Sequence, residues 1–183
     1  MDDETAQRRI LDATDRLFYV HGIRAVGMDA IRDAAGVSLK RLYRLYPAKD
    51  QLAEATLRRR ADAFHADLAE YTADRGSPRE RILAVFDFLY DWFSAPGFRG
   101  CPFINAFGEG HQGGVLHAVA DQKRDFETLL DDLVAAAGAP TVLGRQLLIL
   151  ANGAMATAAT LGAPDAALQA KEAARTLLDA STA

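Results

Sequence analysis

Apolar side chains recur every three to four positions along nearly the whole of this chain, and runs in which they alternate with polar ones are almost absent. The first period paints one face of a helix and the second one face of a strand, so the pattern predicts an all-α protein. Punctuating residues set the helix ends. Residues 4–21 carry Ile10, Ala13, Leu17 and Val20, with Phe18 beside them, and Gly22 ends the run. A short helix over 28–35 starts after Gly27, a weak N-cap, and stops at Gly36. Ser38 can cap the next helix, 39–46, which Pro47 closes. A long helix over 48–73 turns Leu52, Ala55, Phe64, Leu68 and Tyr71 inward. Ser77 then caps, and Pro78 opens, a helix with Ile82, Phe86, Leu89 and Phe93 at helical spacing, through about Ser94. After the irregular APGFRGCP comes a short helix from about Cys101 to Gly108, then the loop EGHQGG. Helices over 114–137, over 140–162 and, behind Asp165, to about Ala180 complete about nine.

Charge is distributed unevenly over these elements. The 183 residues carry a net charge of −4, which on its face argues against nucleic acid. Yet residues 1–60 hold 12 Lys/Arg against 9 Asp/Glu, and from Arg32 to Arg60 the count is 8 against 3. A basic head on an acidic body points to a local polyanion contact. The only cysteine is Cys101, so no intrachain disulfide can form. That fits a reducing cytoplasm. The MDDETAQRR start has no apolar signal core, and no uninterrupted apolar run approaches the ~20 residues of a membrane span. A cytoplasmic protein without a membrane partner is expected.

The two short helices 28–35 and 39–46 are joined by Ala-Gly-Val-Ser, the spacing of a helix-turn-helix. Gly36 permits the tight turn and Val37 tucks between the helices. Ile31, Ala34, Ala35, Val37 and Leu42 can pack against the 4–21 helix, which leaves Lys40, Arg41 and Arg44 outward. A short helix presented in this way fits a DNA major groove, with its first residues nearest the base edges. Cations attract phosphate and can read guanine, tyrosine hydroxyls bond phosphate, and Lys49 can meet a phosphate at the next helix start.

Taken with ILDATDRLFYVHG (10–22), MDAIRDAAGVS (28–38), LY (42–43) and YPAKDQL (46–52), this chain resembles the TetR family of bacterial transcriptional regulators. The resemblance covers the first ~52 residues. It implies a three-helix DNA-binding domain over 1–52 and a helical ligand-binding and dimerisation domain over 53–183. By position it assigns DNA contact to Ser38, Leu39, Lys40, Arg41, Tyr43, Arg44 and Lys49, with Tyr46 sealing the domain. Gly27 stands where a phosphate-binding Ser or Thr is usual. Lys40-Arg41 and Arg44-Leu45 replace common Gly-Thr and Tyr-His pairs, making the recognition helix unusually cationic. The operator of any relative therefore does not carry over.

The resemblance also implies an inducer cavity, for which Phe64, Leu68, Phe86, Tyr90, Phe93, Cys101, Phe103, Asn105, Phe107 and Phe126 are the candidates. Regulators of this kind act as homodimers on paired half-sites of a double-stranded operator. Small residues in the last two helices allow close helix approach, so Leu147, Ala151, Ala154, Ala158, Ala170, Ala174 and Leu177 are expected at the dimer contact, or alternatively in an intrachain core. Cys101, before Pro102, could be a sensor of electrophiles or a small buried residue. Catalysis is not expected, nor a metal or cofactor. The histidines His21, His65, His111 and His117 lack ligand spacing, and neither a phosphate loop nor a nucleophile elbow is present.

Overall fold

The computed structural model describes residues 2–181, and every regular element among them is a helix. In chain order these are α1 (Asp3–His21), α2 (Met28–Ala35), α3 (Leu39–Leu45), α4 (Lys49–Ala73), α5 (Pro78–Ser94), α6 (Pro102–Gly108), α7 (Gly114–Ala136), α8 (Val142–Leu161) and α9 (Ala166–Ser181). The expected all-α class holds, with ends shifted by one or two residues. The chain divides into two compact units. One takes Met1–Asp62 and Pro102–Gln122, the other Ala63–Cys101 and Lys123–Ala183.

In the first unit, α1 begins where the Asp2 carboxylate accepts the Thr5 N–H at 2.7 Å. Asp3 and Glu4 follow in its first turn, where negative charge favours the helix dipole. Its buried stripe is Ala6, Ile10, Ala13, Thr14 and Phe18, and the Thr14 hydroxyl donates to the Ile10 carbonyl at 2.7 Å. Val20, expected on that stripe, lies exposed. Helix α2 packs on α1 and α3 packs on α2, burying Ile31, Ala35 and Leu42. Ala34, also expected inward, is exposed, because it lies about 60° round the helix from Ile31, on the side away from Ala35. Arg60 of α4 donates a two-pronged pair to Asp15 of α1 at 2.6 and 2.7 Å. The same guanidinium lies 4.5 Å from the centroid of the Tyr19 ring.

In the second unit, α5, α8 and α9 pack on one another. Helix α5 starts with a reciprocal cap: the Ser77 hydroxyl accepts from Glu80 N at 3.2 Å, and Ser77 N donates to Glu80 at 2.6 Å. Ile82, Phe86, Leu89 and Phe93 are all buried, as their spacing predicts. Lys171 of α9 reaches Asp87 of α5 at 2.6 and 2.7 Å. Helix α8 is, by length and composition, long and apolar enough to cross a membrane. Here, however, its Leu143, Leu147, Ala151, Met155 and Ala158 are buried within the unit.

Candidate nucleic-acid interface

The turn between α2 and α3 follows from two adjacent residues. Gly36 takes the left-handed conformation, φ 63° and ψ 42°, which a side chain disfavours. Behind it the Val37 N–H reaches back to the Arg32 carbonyl at 3.3 Å. Ser38 then opens α3, its hydroxyl accepting the Arg41 N–H at 3.2 Å. Leu42 anchors the seven-residue helix by being wholly buried. The remaining surface is presented outward.

On it stand Ser38, Leu39, Lys40, Tyr43 and Arg44, all exposed, with Arg41 half-buried at the edge. Gly27 is exposed at the start of α2, with no side-chain cap. The cations are not equivalent. Arg44 donates to Asp3 of α1 at 2.5 Å, and Arg41 Nε lies 3.8 Å from the same oxygen. The hydrogen bond from Arg44 holds the Asp3 carboxyl below the usual carboxylate range. Lys40 has no acidic partner within ion-pair distance among the described residues. Tyr46 is half-buried, and that burial raises its hydroxyl above the ordinary value, against the opposing charge of Arg59.

The turn from α1 to α2 is held from two directions. Lys49 donates to the Arg24 carbonyl at 3.1 Å, so the side chain expected to meet a phosphate also braces this loop. From the other side Glu109, in the loop after α6, accepts the Ile23 N–H at 2.9 Å and the Arg24 N–H at 2.7 Å. Gly22, at φ 84°, makes room: a Cβ there would stand 3.0 Å from the Glu109 oxygen. His111 lies 3.3 Å from the other oxygen. Partial burial pushes the Glu109 carboxyl up, but the two backbone N–H groups and His111 outweigh it and leave it lowered. A lowered folded value stabilises above the unfolded value and is lost as pH falls through the folded one. Glu109→Ala is therefore expected to cost about 1–3 kcal/mol at neutral pH. In thermal melts at stepped pH, the gap to the parent protein should narrow as pH drops below the ordinary 4.5.

Sequence reasoning missed both acidic residues. Asp3 drew no reading beyond its place in the MDDETAQRR start. Glu109 is separated from its partners by 85 and 86 residues, and nothing local announces such a pairing.

Residues 10–56 match the profile of the bacterial regulatory proteins of the tetR family. A crystal structure of a TetR-type transcriptional regulator from Streptomyces avermitilis, sav143, is 32% identical over 97% of this chain and 98% of that one, with a TM-score of 0.86. The chain belongs to the TetR family. SCO4454, a TetR-family transcriptional regulator of known structure from Streptomyces coelicolor, is 28% identical over 98% of this chain and 97% of its own, with a TM-score of 0.88. Rv1255c of Mycobacterium tuberculosis, named an HTH-type transcriptional regulator, is 36% identical over 80 residues. That match spans 44% of this chain and 40% of the relative's length.

Within this TetR-family chain the candidate effector residues fall in both units. In the second, Phe64 meets Phe126 edge-on at 5.4 Å and Phe88 at 5.7 Å, and is tilted to Trp92 at 6.0 Å. Phe93 meets Phe98 at 4.9 Å. Phe88 and Phe98, which the sequence reading left out, are thus part of the same aromatic assembly. Leu68, Phe86, Phe93, Cys101 and Phe126 are buried, and Tyr90 is half-buried. A cleft of about 210 Å³ lies between Phe93, Phe98, Ala158, Gly162 and Pro164. In the first unit Phe103 is buried, but Asn105 is exposed and Phe107 is 65% exposed. The expectation that Phe107 and Asn105 line a cavity is corrected. Helix α6 buries positions 103 and 106, and this turns 105 and 107 to water.

The dimer candidates also need correction. Leu147, Ala151, Ala154, Ala158, Ala170 and Ala174 are buried within the single chain, where α8 meets α9 and both meet α5, and Leu177 is half-buried. Their small side chains do allow close helix approach, but between helices of one chain. The outward side of α8 instead shows Val142, Ile149, Gly153, Ala156 and Leu161, and α9 adds Leu168.

Proposed function

We propose that this protein is a ligand-responsive repressor whose residues 1–52 grip a double-stranded operator and whose residues 53–183 receive a small effector and pair with a second copy. The single observation that carries the DNA reading is the two-sided character of α3, with Leu42 buried and Lys40, Arg41, Tyr43 and Arg44 on the other face. A rod of that size, held from behind, suits a major groove. One such helix reads few base pairs, so a homodimer on paired half-sites supplies the remaining affinity. The exposed Ile149 and Leu161 of α8 and Leu168 of α9 form the surface that a second copy would cover. Operator binding puts the protein in the cytoplasm.

The aromatic assembly around Phe64 favours an inducer that is largely apolar or aromatic. Release follows if that ligand favours a conformation that no longer fits the half-site spacing, and a 100-fold loss of affinity requires about 2.7 kcal/mol of difference between the two states. Selection of bound sequences from random duplex DNA tests the reading. Two half-sites about one helical turn apart, or a multiple of it, are expected. Recovery of no enriched sequence would reject it.

One contact favours a second reading, in which Cys101 senses electrophiles. The Lys123 ammonium lies 3.7 Å from the Cys101 sulfur and is held at 2.8 Å by Asn152. The ammonium thus places a positive charge beside the sulfur. Under this reading a thiol-reactive electrophile releases the parent protein from DNA, and Cys101→Ser is expected to abolish that response in a gel-shift assay. Equal release of both proteins would exclude it.

A further inference from the structure

The acidic start of α1 sits beside the most cationic helix of the molecule, and the two are in contact. Arg44 donates to Asp3 at 2.5 Å and Arg41 stands 3.8 Å away, while the side chains of Asp3 and Arg44 remain 48% and 54% exposed. Asp2 caps α1, and Asp3 occupies its first turn, where the helix dipole favours a negative charge. The α1 backbone thus carries the carboxylate to the side of the arginines. A guanidinium binds a carboxylate and a phosphate through the same planar fork. An exposed pair of this kind contributes little to stability, so folding alone does not explain an acid placed against a DNA-reading surface.

We propose that Asp3 is a phosphate surrogate: in the free protein it occupies Arg44 and screens Arg41, and duplex DNA has to displace it, so that Asp3 sets the strength of DNA binding. The inference rests on α3 contacting duplex DNA. A phosphate taking Arg44 away from Asp3 exchanges one ion pair for another, and the expelled carboxylate is left near the DNA backbone. Both effects lower the affinity for duplexes of any sequence, and both vanish when the charge at position 3 is removed.

The test compares Asp3→Asn, which keeps the shape and loses the charge, with Glu4→Gln, an equal change of charge at an exposed neighbour in the same helical turn. Affinity is measured by fluorescence anisotropy on a random-sequence duplex long enough for two half-sites, across a salt series. One freed phosphate contact corresponds to a salt slope of about 0.9 and about fivefold in affinity at 0.15 M for each recognition helix. Asp3→Asn is expected to bind about fivefold tighter or more, with a steeper salt slope and an unchanged melting temperature. Asp3→Ser, as a second variant, should do the same. The gain should shrink when Arg44→Gln is also present, because the cycle isolates the share carried by that pair. Unchanged or weaker binding by Asp3→Asn overturns the inference, as does an equal gain from Glu4→Gln or a gain undiminished by loss of Arg44. If the variants of Asp3 are silent while removal of the α3 cations destroys binding, this inference fails alone. If removing those cations also changes nothing, the DNA reading fails with it.

Discussion

Replacing Lys40, Arg41 and Arg44 together by glutamine is expected to weaken duplex binding by about 100-fold or more at 0.15 M salt. Three lost phosphate or base-edge contacts should also flatten the salt dependence by about 2.7 units for each recognition helix. The estimate follows from position. Lys40 and Arg44 are exposed on α3, Arg41 lies half-buried at its edge, and none of them fills the core. Exposed substitutions of this sort usually alter stability by no more than about 0.5 kcal/mol each. Loss of binding with an unchanged melting temperature would therefore report on contact with DNA rather than on folding. Anisotropy titrations between low and physiological salt measure both quantities. Equal affinity of the parent and triple variant on every duplex would remove α3 as the DNA-contacting element.

The second large effect concerns what holds that helix in place. Leu42→Ala should destabilise the protein by about 2–5 kcal/mol. Seven residues are too few for a helix to persist alone in water, so α3 depends on the side chain it buries. Leu42 is wholly buried at the centre of α3, which packs on α2. Truncation leaves a cavity at that junction and removes the contact that orients Lys40, Arg41 and Arg44. With total stabilities commonly about 5–15 kcal/mol, a loss of that size should lower the thermal midpoint clearly and weaken DNA binding with it. Leu39→Ala, one turn earlier and 37% exposed, is the matched control. It should melt within a degree or two of the parent protein and change only DNA binding. A Leu42→Ala variant as stable as the parent would show that the helix-turn-helix does not depend on this anchor.

The helix ends were legible because they are local. Gly36, Ser38, Pro47 and the Ser77-Pro78 pair act through their own backbone preferences, and the boundaries fall within one or two residues of the expected ones. The facing of side chains was harder to read. Ala34 and Val20 fit an apolar period yet meet water, since an alanine or valine at the margin of a stripe can lie on either side. The alanines of α8 and α9 show the same ambiguity at larger scale: a close-packing surface says nothing of whose helix it meets. The α3 face was readable because buried and exposed positions there differ sharply in character, Leu42 against Lys40 and Arg44. Asp3 and Glu109 were not readable, since each acts on residues more than 20 positions away.

The Glu109 grip has a consequence for which residues the α1–α2 turn tolerates. Its oxygens hold peptide hydrogens of Ile23 and Arg24 rather than anything those residues carry beyond the main chain. Such an anchor is blind to side-chain identity. Position 24 is free to drift in chemical type while the turn keeps its shape, and proline, which has no hydrogen to offer, is the one replacement that would unfasten it.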